Sequence, residues 1–470
     1  MWNKRDIRPA RRLPSFRPRR PAVAFLAPVA LAALALSACS SPSSSPSAAA
    51  AQVGGTAVPS TEHESLTLVS YLPLIGKSGG KTLSGLLAGF EKQHPNITVT
   101  VQVPSATNGA AITATVQRDE AAGNTPDVVQ SGLDMLRYLA TGGLGGQDLS
   151  RLVAPSALAA EWGGPHPYPK SVQALGLVDG QLYAIPWVLS TPILFYNAAL
   201  FRKAGLDPAS PPTTWAQVQA DALKIKRATG ADGLSSCAAG AASVEVDWCT
   251  QAVIRSNGGT VTDGQSLAWT SPKTVAAVQT LGVLGQSGAM VNLSNTQTIQ
   301  EFSQGKLAMV LNSSAAQASL AAAAGPAVQL MDTGLPAFGA ARSVPTNSGS
   351  ALAILAKAPD KQQAAWELIQ YLTSDSSYTT ITKQVGYAPL RTSLAGDPAF
   401  LPMGSQAQAL ARPNLDQLGR LVAWQDYAGP NFAQVEQLLE DAVASVAFQG
   451  QPAAAALAEA QGQAKSLLGT

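Results

Sequence analysis

The groups in this chain that could act on a substrate are three histidines, three cysteines and a scatter of carboxylates. His63, His94 and His166 fall in a polar tether, a helix-ending turn and a proline-rich loop. None has the spacing of a metal set or of a nucleophile–base pair. No G-x-S-x-G nucleophile elbow occurs,. The Asp and Glu residues carry no paired motif, although glycosidase pairs are assembled in space rather than along the sequence. Non-covalent capture of a polyol is the other chemistry open to such a chain, and it asks for flat aromatic faces against C–H surfaces and short polar side chains for hydroxyls. Trp187 beside Ser190, Trp248 beside Cys249, and Trp424 with Tyr427 are candidates of that kind. Core packing is the alternative for each tryptophan, and Trp215 and Trp366, on amphipathic helices, read as core. Neither cofactor nor metal is expected.

The cysteines divide by position. Cys39 closes the run Leu36-Ser37-Ala38-Cys39, which resembles the lipobox of secreted bacterial lipoproteins. Eight cations and one acid occupy the first twenty residues, and residues 22–36 are apolar except for Pro28. A basic segment, an apolar segment and small residues in that order make an export signal. At 15 residues the apolar stretch is shorter than the ~20 that cross a membrane,. Residues 1–38 are therefore expected to be a signal peptide and Cys39 a lipidation site, with an ordinary cleaved signal as the alternative. Residues 39–63, rich in Ser, Pro and Ala, form a flexible tether. The expected place is outside the cytoplasmic membrane of a bacterium, held by lipid alone. Export favours pairing of Cys237 with Cys249 in one disulfide, rather than two separate buried thiols.

Of 470 residues, some 410 then remain, which implies two domains,. The net charge of +2 includes the signal; without it, 23 basic face 28 acidic residues, a net −5. A mildly acidic body without a basic stripe argues against nucleic acid.

Strand and helix alternate from Glu64 onward. Residues 66–72 are β-rich, and residues 80–93 place Leu83, Leu86, Leu87 and Phe90 on one helical face,. Residues 97–103 alternate as a strand, and a helix follows near 109–122. Further strands are expected at 125–129, 307–311 and 351–356, with helices at 215–229, 296–304 and 360–373 and a helical last hundred residues. Strands separated by helices imply a parallel βαβ sheet.

Four stretches in this order resemble the extracellular solute-binding proteins of ABC importers, in their carbohydrate-type branch. They are Gly123-Asn124-Thr125-Pro126-Asp127-Val128, Tyr183-Ala184-Ile185-Pro186-Trp187 through Tyr196-Asn197, Phe302 through Met309, and Gly386-Tyr387-Ala388-Pro389. Ser190-Thr191-Pro192 through Asn197 is similar to a segment of the glycerol-3-phosphate and glycerophosphodiester binders. The resemblance implies ligand roles for Ser190, Ser313 or Ser314, Gly349 and Tyr387, with Asp134 near the family's first-lobe glutamate. The family's phosphate-facing arginine has no match near Asp426-Tyr427-Ala428, and Arg391 is the substitute within reach.

The expected fold is α/β and two-lobed, of the periplasmic-binding-protein type, with chain crossings near 184–192, 311–327 and 385–391. Lobe 1 would hold residues 64–187 and 327–385, and lobe 2 residues 188–326 and 386–470. The implied function is capture of a carbohydrate or related polyol, without catalysis, by a monomer that delivers it to a membrane permease with a cytoplasmic ATPase. A glycerophosphodiester or glycerol-3-phosphate receptor is the alternative, and a structural envelope lipoprotein without ligand a third reading.

Overall fold

The computed structural model describes residues 52–469, apart from Lys77, residues 243–246, Gln265, and residues 398–399 and 401–404. Cys39, the signal and most of the tether lie outside the described residues.

Nine strands build two sheets: β1 (Glu64–Val69), β2 (Ile97–Gln102), β3 (Val128–Gly132), β4 (Ile185–Ser190), β5 (Pro192–Asn197), β6 (Asp232–Ser236), β7 (Leu307–Ser313), β8 (Leu330–Gly334) and β9 (Ser348–Ile354). The first sheet runs β2-β1-β3-β9-β4 and the second β8-β5-β7-β6. The helices used below are α1 (Gly79–Gln93), α2 (Gly109–Ala121), α3 (Leu136–Thr141), α4 (Trp215–Thr229), α5 (Trp248–Ser256), α6 (Pro272–Gln286), α7 (Asn295–Ser303), α8 (Pro359–Leu372), α9 (Asp375–Val385), α10 (Gln406–Leu418), α11 (Phe432–Gln449) and α12 (Ala453–Leu468).

Local chemistry explains the main elements. In α1, Leu83, Leu86, Leu87 and Phe90 are buried together, as their three-and-four spacing requires,. Because β1, β2 and β3 pair in parallel, each link between them must recross the sheet, and α1 and α2 make those links,. Helix α4 opens with a capping box between Thr214 and Gln217 and ends at Gly230, whose φ of 74° is left-handed,. Strand β9 runs antiparallel to both β3 and β4. Gly349 is needed there: its φ is 131°, and an added Cβ would lie 2.1 Å from the carbonyl oxygen of Val188,.

Among the described residues the main chain changes lobe three times. The first passage is a single residue, Thr191, because Ser190 pairs with Ser348 in one sheet and Pro192 with Ser313 in the other. The expected passage at 311–327 is overturned. Strand β8 pairs antiparallel with β5, so the chain stays with the second sheet to Gly334 and crosses within residues 335–347. Residues 188–190 belong to the first sheet and 330–334 to the second, each opposite to expectation. The third passage comes after Arg391 rather than over 385–391, since Arg391 is still bonded within the first lobe.

Candidate functional site

The two lobes enclose a cavity of about 780 Å³. The first lobe contributes Leu136, Arg137 and Asp179; the second contributes Thr262 and Leu267 and the segment Trp424–Tyr427 that precedes α11. That segment is fixed from both sides. Asp426 accepts from the backbone N–H of Arg137 at 3.0 Å and from its Nε at 3.1 Å. Arg137 Nη1 reaches both oxygens of Asp179, at 3.1 and 3.0 Å. On the second-lobe side, Gln425 exchanges two hydrogen bonds with Gln251, at 3.0 and 2.9 Å.

Asp247 organises the aromatic wall. It is fully buried at the start of α5, and it accepts from Trp424 Nε1 at 2.7 Å and from the Tyr427 hydroxyl at 2.8 Å. Burial pushes its carboxyl up to about 6, against the pull of these donors and of Gln251,. The Tyr427 ring also meets Trp269 edge-on at 6.1 Å. Two residues along from Asp247, Cys249 is disulfide-bonded to Cys237, whose backbone follows β6.

A second hollow of about 430 Å³ opens between α2 and α11, lined by Asn108, Gly109, Asp134, Phe432 and Glu436. Asp134 is buried and accepts from the Gly109 N–H at 3.1 Å. Burial raises its carboxyl to about 6. A Cβ on Gly109 would come 2.4 Å from Asp134 Oδ2, so only glycine lets the carboxylate approach the helix start. Glu436 is fully buried, and its carboxyl is driven well above the usual range by burial and by the neighbouring acids Asp134, Asp247, Glu440 and Asp426.

The residues singled out from sequence separate into three groups. Asp134, Trp424 and Tyr427 line these hollows. Ser190, Ser313 and Ser314 sit at the Thr191 passage and bond within it. Ser313 Oγ donates to Ser190 Oγ at 2.8 Å, and the Ser314 hydroxyl accepts from the Thr191 N–H at 3.4 Å. Gly349 occupies the tight strand pairing described above. Tyr387 is buried in the core, its hydroxyl raised by burial to about 12.

The last group is corrected by the structure. Trp187 is wholly buried in the first lobe and gives its indole N–H to the carbonyl of Leu372 at 3.0 Å, so its face is not offered to a ligand. Trp248 is buried in the core and lies outside the larger cavity. Arg391 is committed within the first lobe: its guanidinium donates to Glu161 Oε1 and to carbonyls of Glu161, Gly163, His166 and Thr373, and stacks on Tyr168 at 4.4 Å. A bonded fork of this kind has no donors left for a phosphate.

Sequence reading missed Arg137, Asp247, Asp426 and Glu436. One signal was available for Glu436: with Glu440 it interrupts the buried stripe Phe432, Val435, Leu439, Val443 of α11. Acids on the inward face of a helix mark a site that packing alone does not explain.

Two α/β lobes thus enclose a polar, aromatic-walled cavity between them. The chain belongs to the bacterial extracellular solute-binding protein family, whose family model matches residues 85–409. It is 28% identical over 222 residues to the sn-glycerol-3-phosphate-binding periplasmic protein UgpB of Yersinia pestis, covering 46% of this chain and 50% of that one. The chain thus spans about half the length of the curated relatives it matches. Its fold is similar to the sugar-binding protein MalE of Xanthomonas citri, with a TM-score of 0.72 at 23% identity over 86% of this chain and 97% of the other. UgpB of Mycobacterium tuberculosis in complex with glycerophosphocholine gives 0.71 at 22% identity, over 86% and 98%. Among the described residues no helix is long and apolar enough to cross a membrane.

Proposed function

We propose that this protein is the solute-binding component of an ABC importer. It captures a carbohydrate or related polyol between its lobes, performs no chemistry on it, and delivers it to a membrane permease driven by a cytoplasmic ATPase. The observation that carries this reading is the cavity itself. Its walls come from both lobes, and the Trp424–Tyr427 aromatics stand beside Asp426, Arg137 and Gln425, the apolar-face-plus-acceptor set that sugars require,. A ligand touching both lobes favours the closed form and so drives closure. The protein works as a monomer outside the cytoplasmic membrane, on a lipid attached at Cys39. Mass spectrometry of the membrane-extracted protein tests the anchor, since an unmodified Cys39 excludes it.

The likeness to UgpB supports a second reading, a glycerol-3-phosphate or glycerophosphodiester receptor. Against it, Arg137 is the cation of the cavity wall and is already engaged by Asp426 and Asp179. Thermal-shift screening of sugars, sugar alcohols, glycerol phosphates and glycerophosphodiesters separates the readings. A true ligand at 100-fold excess over its Kd stabilises by ~2.7 kcal/mol. Response to phosphates alone selects the second reading, and silence throughout selects a structural lipoprotein.

A further inference from the structure

Glu436 poses a problem that the sugar reading alone leaves open. It is fully buried one turn into α11, and neither carboxylate oxygen meets a hydrogen-bond donor among the described residues. Such a group is costly to desolvate. The groups whose charges act on it are acidic: Asp134 from the other lobe, Asp247 at the start of α5, Glu440 one turn along α11, and Asp426 just before it. Asp426 is balanced by Arg137, whereas Asp134, Asp247 and Glu436 form no ion pair among the described residues. Asp247 is met by neutral donors and Asp134 by a backbone N–H. No group of three or more acids among the described residues is placed to hold a metal ion.

The missing complement is therefore an organic cation. In the ligand-free protein a proton on Glu436 relieves this crowding of acids, as its raised carboxyl implies,. Hydroxyls of a neutral sugar would leave that proton in place, whereas a bound cation would take over its role. A quaternary ammonium would balance charge but has no N–H to give the bare oxygens. A protonated primary or secondary amine does both, through charge-assisted hydrogen bonds. The hollow beside Glu436 has room for such a group, with Phe432 on the same wall and Asp134 opposite. We propose that the cleft takes an amino sugar or aminated polyol, its ammonium seated on Glu436 and facing Asp134 across the lobes. This rests on the solute-binding reading and narrows its ligand class.

Matched probes test it on the full exported protein by titration calorimetry at about pH 6.5, where amines beside electron-withdrawing oxygens, which titrate much as α-amino groups do at about 7.7–8.0, are protonated. The pairs are glucosamine with glucose, galactosamine with galactose, and the deacetylated chitin disaccharide with its acetylated parent; sn-glycerol 3-phosphate and glycerophosphocholine complete the panel. The expected result is an amino member at least about tenfold tighter than its neutral partner. The isosteric Glu436→Gln should remove that preference while leaving the protein folded. Neutral members binding as well as amino members, or an unchanged preference in Glu436→Gln, overturn the proposal and leave the receptor reading standing. Binding of the phosphates alone overturns it in favour of the phosphodiester reading. Silence from every probe overturns the proposal and the receptor reading together.

Discussion

Trp424 gives its indole N–H to Oδ1 of Asp247 at 2.7 Å, which ties a cavity aromatic to the loop braced by Cys237–Cys249. Asp247 is thus a positioning residue, since it holds Trp424 and Tyr427 in the wall. Asp247→Ala should weaken capture of any ligand found by screening by at least about tenfold, with Asp247→Asn recovering part of it because the amide oxygen still accepts. Affinity unchanged in Asp247→Ala would show that the wall does not need this anchor.

Reduction should loosen the same loop. Opening the Cys237–Cys249 link, twelve residues apart, costs about 3 kcal/mol in the chain-entropy description,. Urea unfolding with and without reductant measures it, and identical midpoints would refute it.

Trp187→Ala and Arg391→Ala should act on stability. The tryptophan change removes a buried ring and should cost about 3–5 kcal/mol. The arginine change leaves Glu161 buried without its partner and should cost about 3–5 kcal/mol,. Neither should change which ligand class the folded fraction prefers. A selective loss of phosphate binding in Arg391→Ala, at unchanged stability, would reverse this assignment.

Stability should fall as pH rises through the weakly acidic range. Asp134 and Asp247 have folded values of about 6, above the ordinary carboxyl value of about 4,. The folded chain therefore keeps protons that the unfolded chain has released, so their contribution is complete below about pH 4 and lost as pH passes 6. Each is worth up to about 3 kcal/mol at that limit. The urea midpoint of the ligand-free protein should be higher near pH 5 than near pH 7.5, and Asp134→Asn with Asp247→Asn should flatten the difference. A midpoint that rises across this window would contradict the placement of these acids.

Much of the fold was legible because its signals are local. The apolar spacing of α1, the capping residues of α4 and the Phe302–Met309 stretch that leads into β7 each specify an element from adjacent residues. The passage at 335–347 was not legible, because β8 is short and its membership depends on pairing with β5, some 135 residues earlier. The site was read through tryptophans, a residue type that serves cores equally well. Trp187 and Trp424 look alike in sequence; one bonds a helix-end carbonyl inside a lobe, the other a carboxylate at the cavity. Which lot each drew was set by distant partners, Leu372 and Asp247. The acids Asp134 and Glu436 come together only when the lobes do.

Thr191 decides how the halves can swing. It is the whole of the first passage and is fully buried, its hydroxyl donating to Asn414 at 2.6 Å and accepting from Gln417 at 2.8 Å. Pro192 fixes one of the torsions beside it, and a residue before proline is confined to extended conformations. The joint is an axle rather than a strap. The second passage is held nearly as closely: Ala337 pairs with Thr213 and Trp215, and Val344 and Thr346 bond Ser256 and Trp248, all in the second lobe, before β9 begins at Ser348. Under the receptor reading proposed above, a turn of the lobes about Thr191 would carry each wall residue a distance that grows with its separation from that threonine.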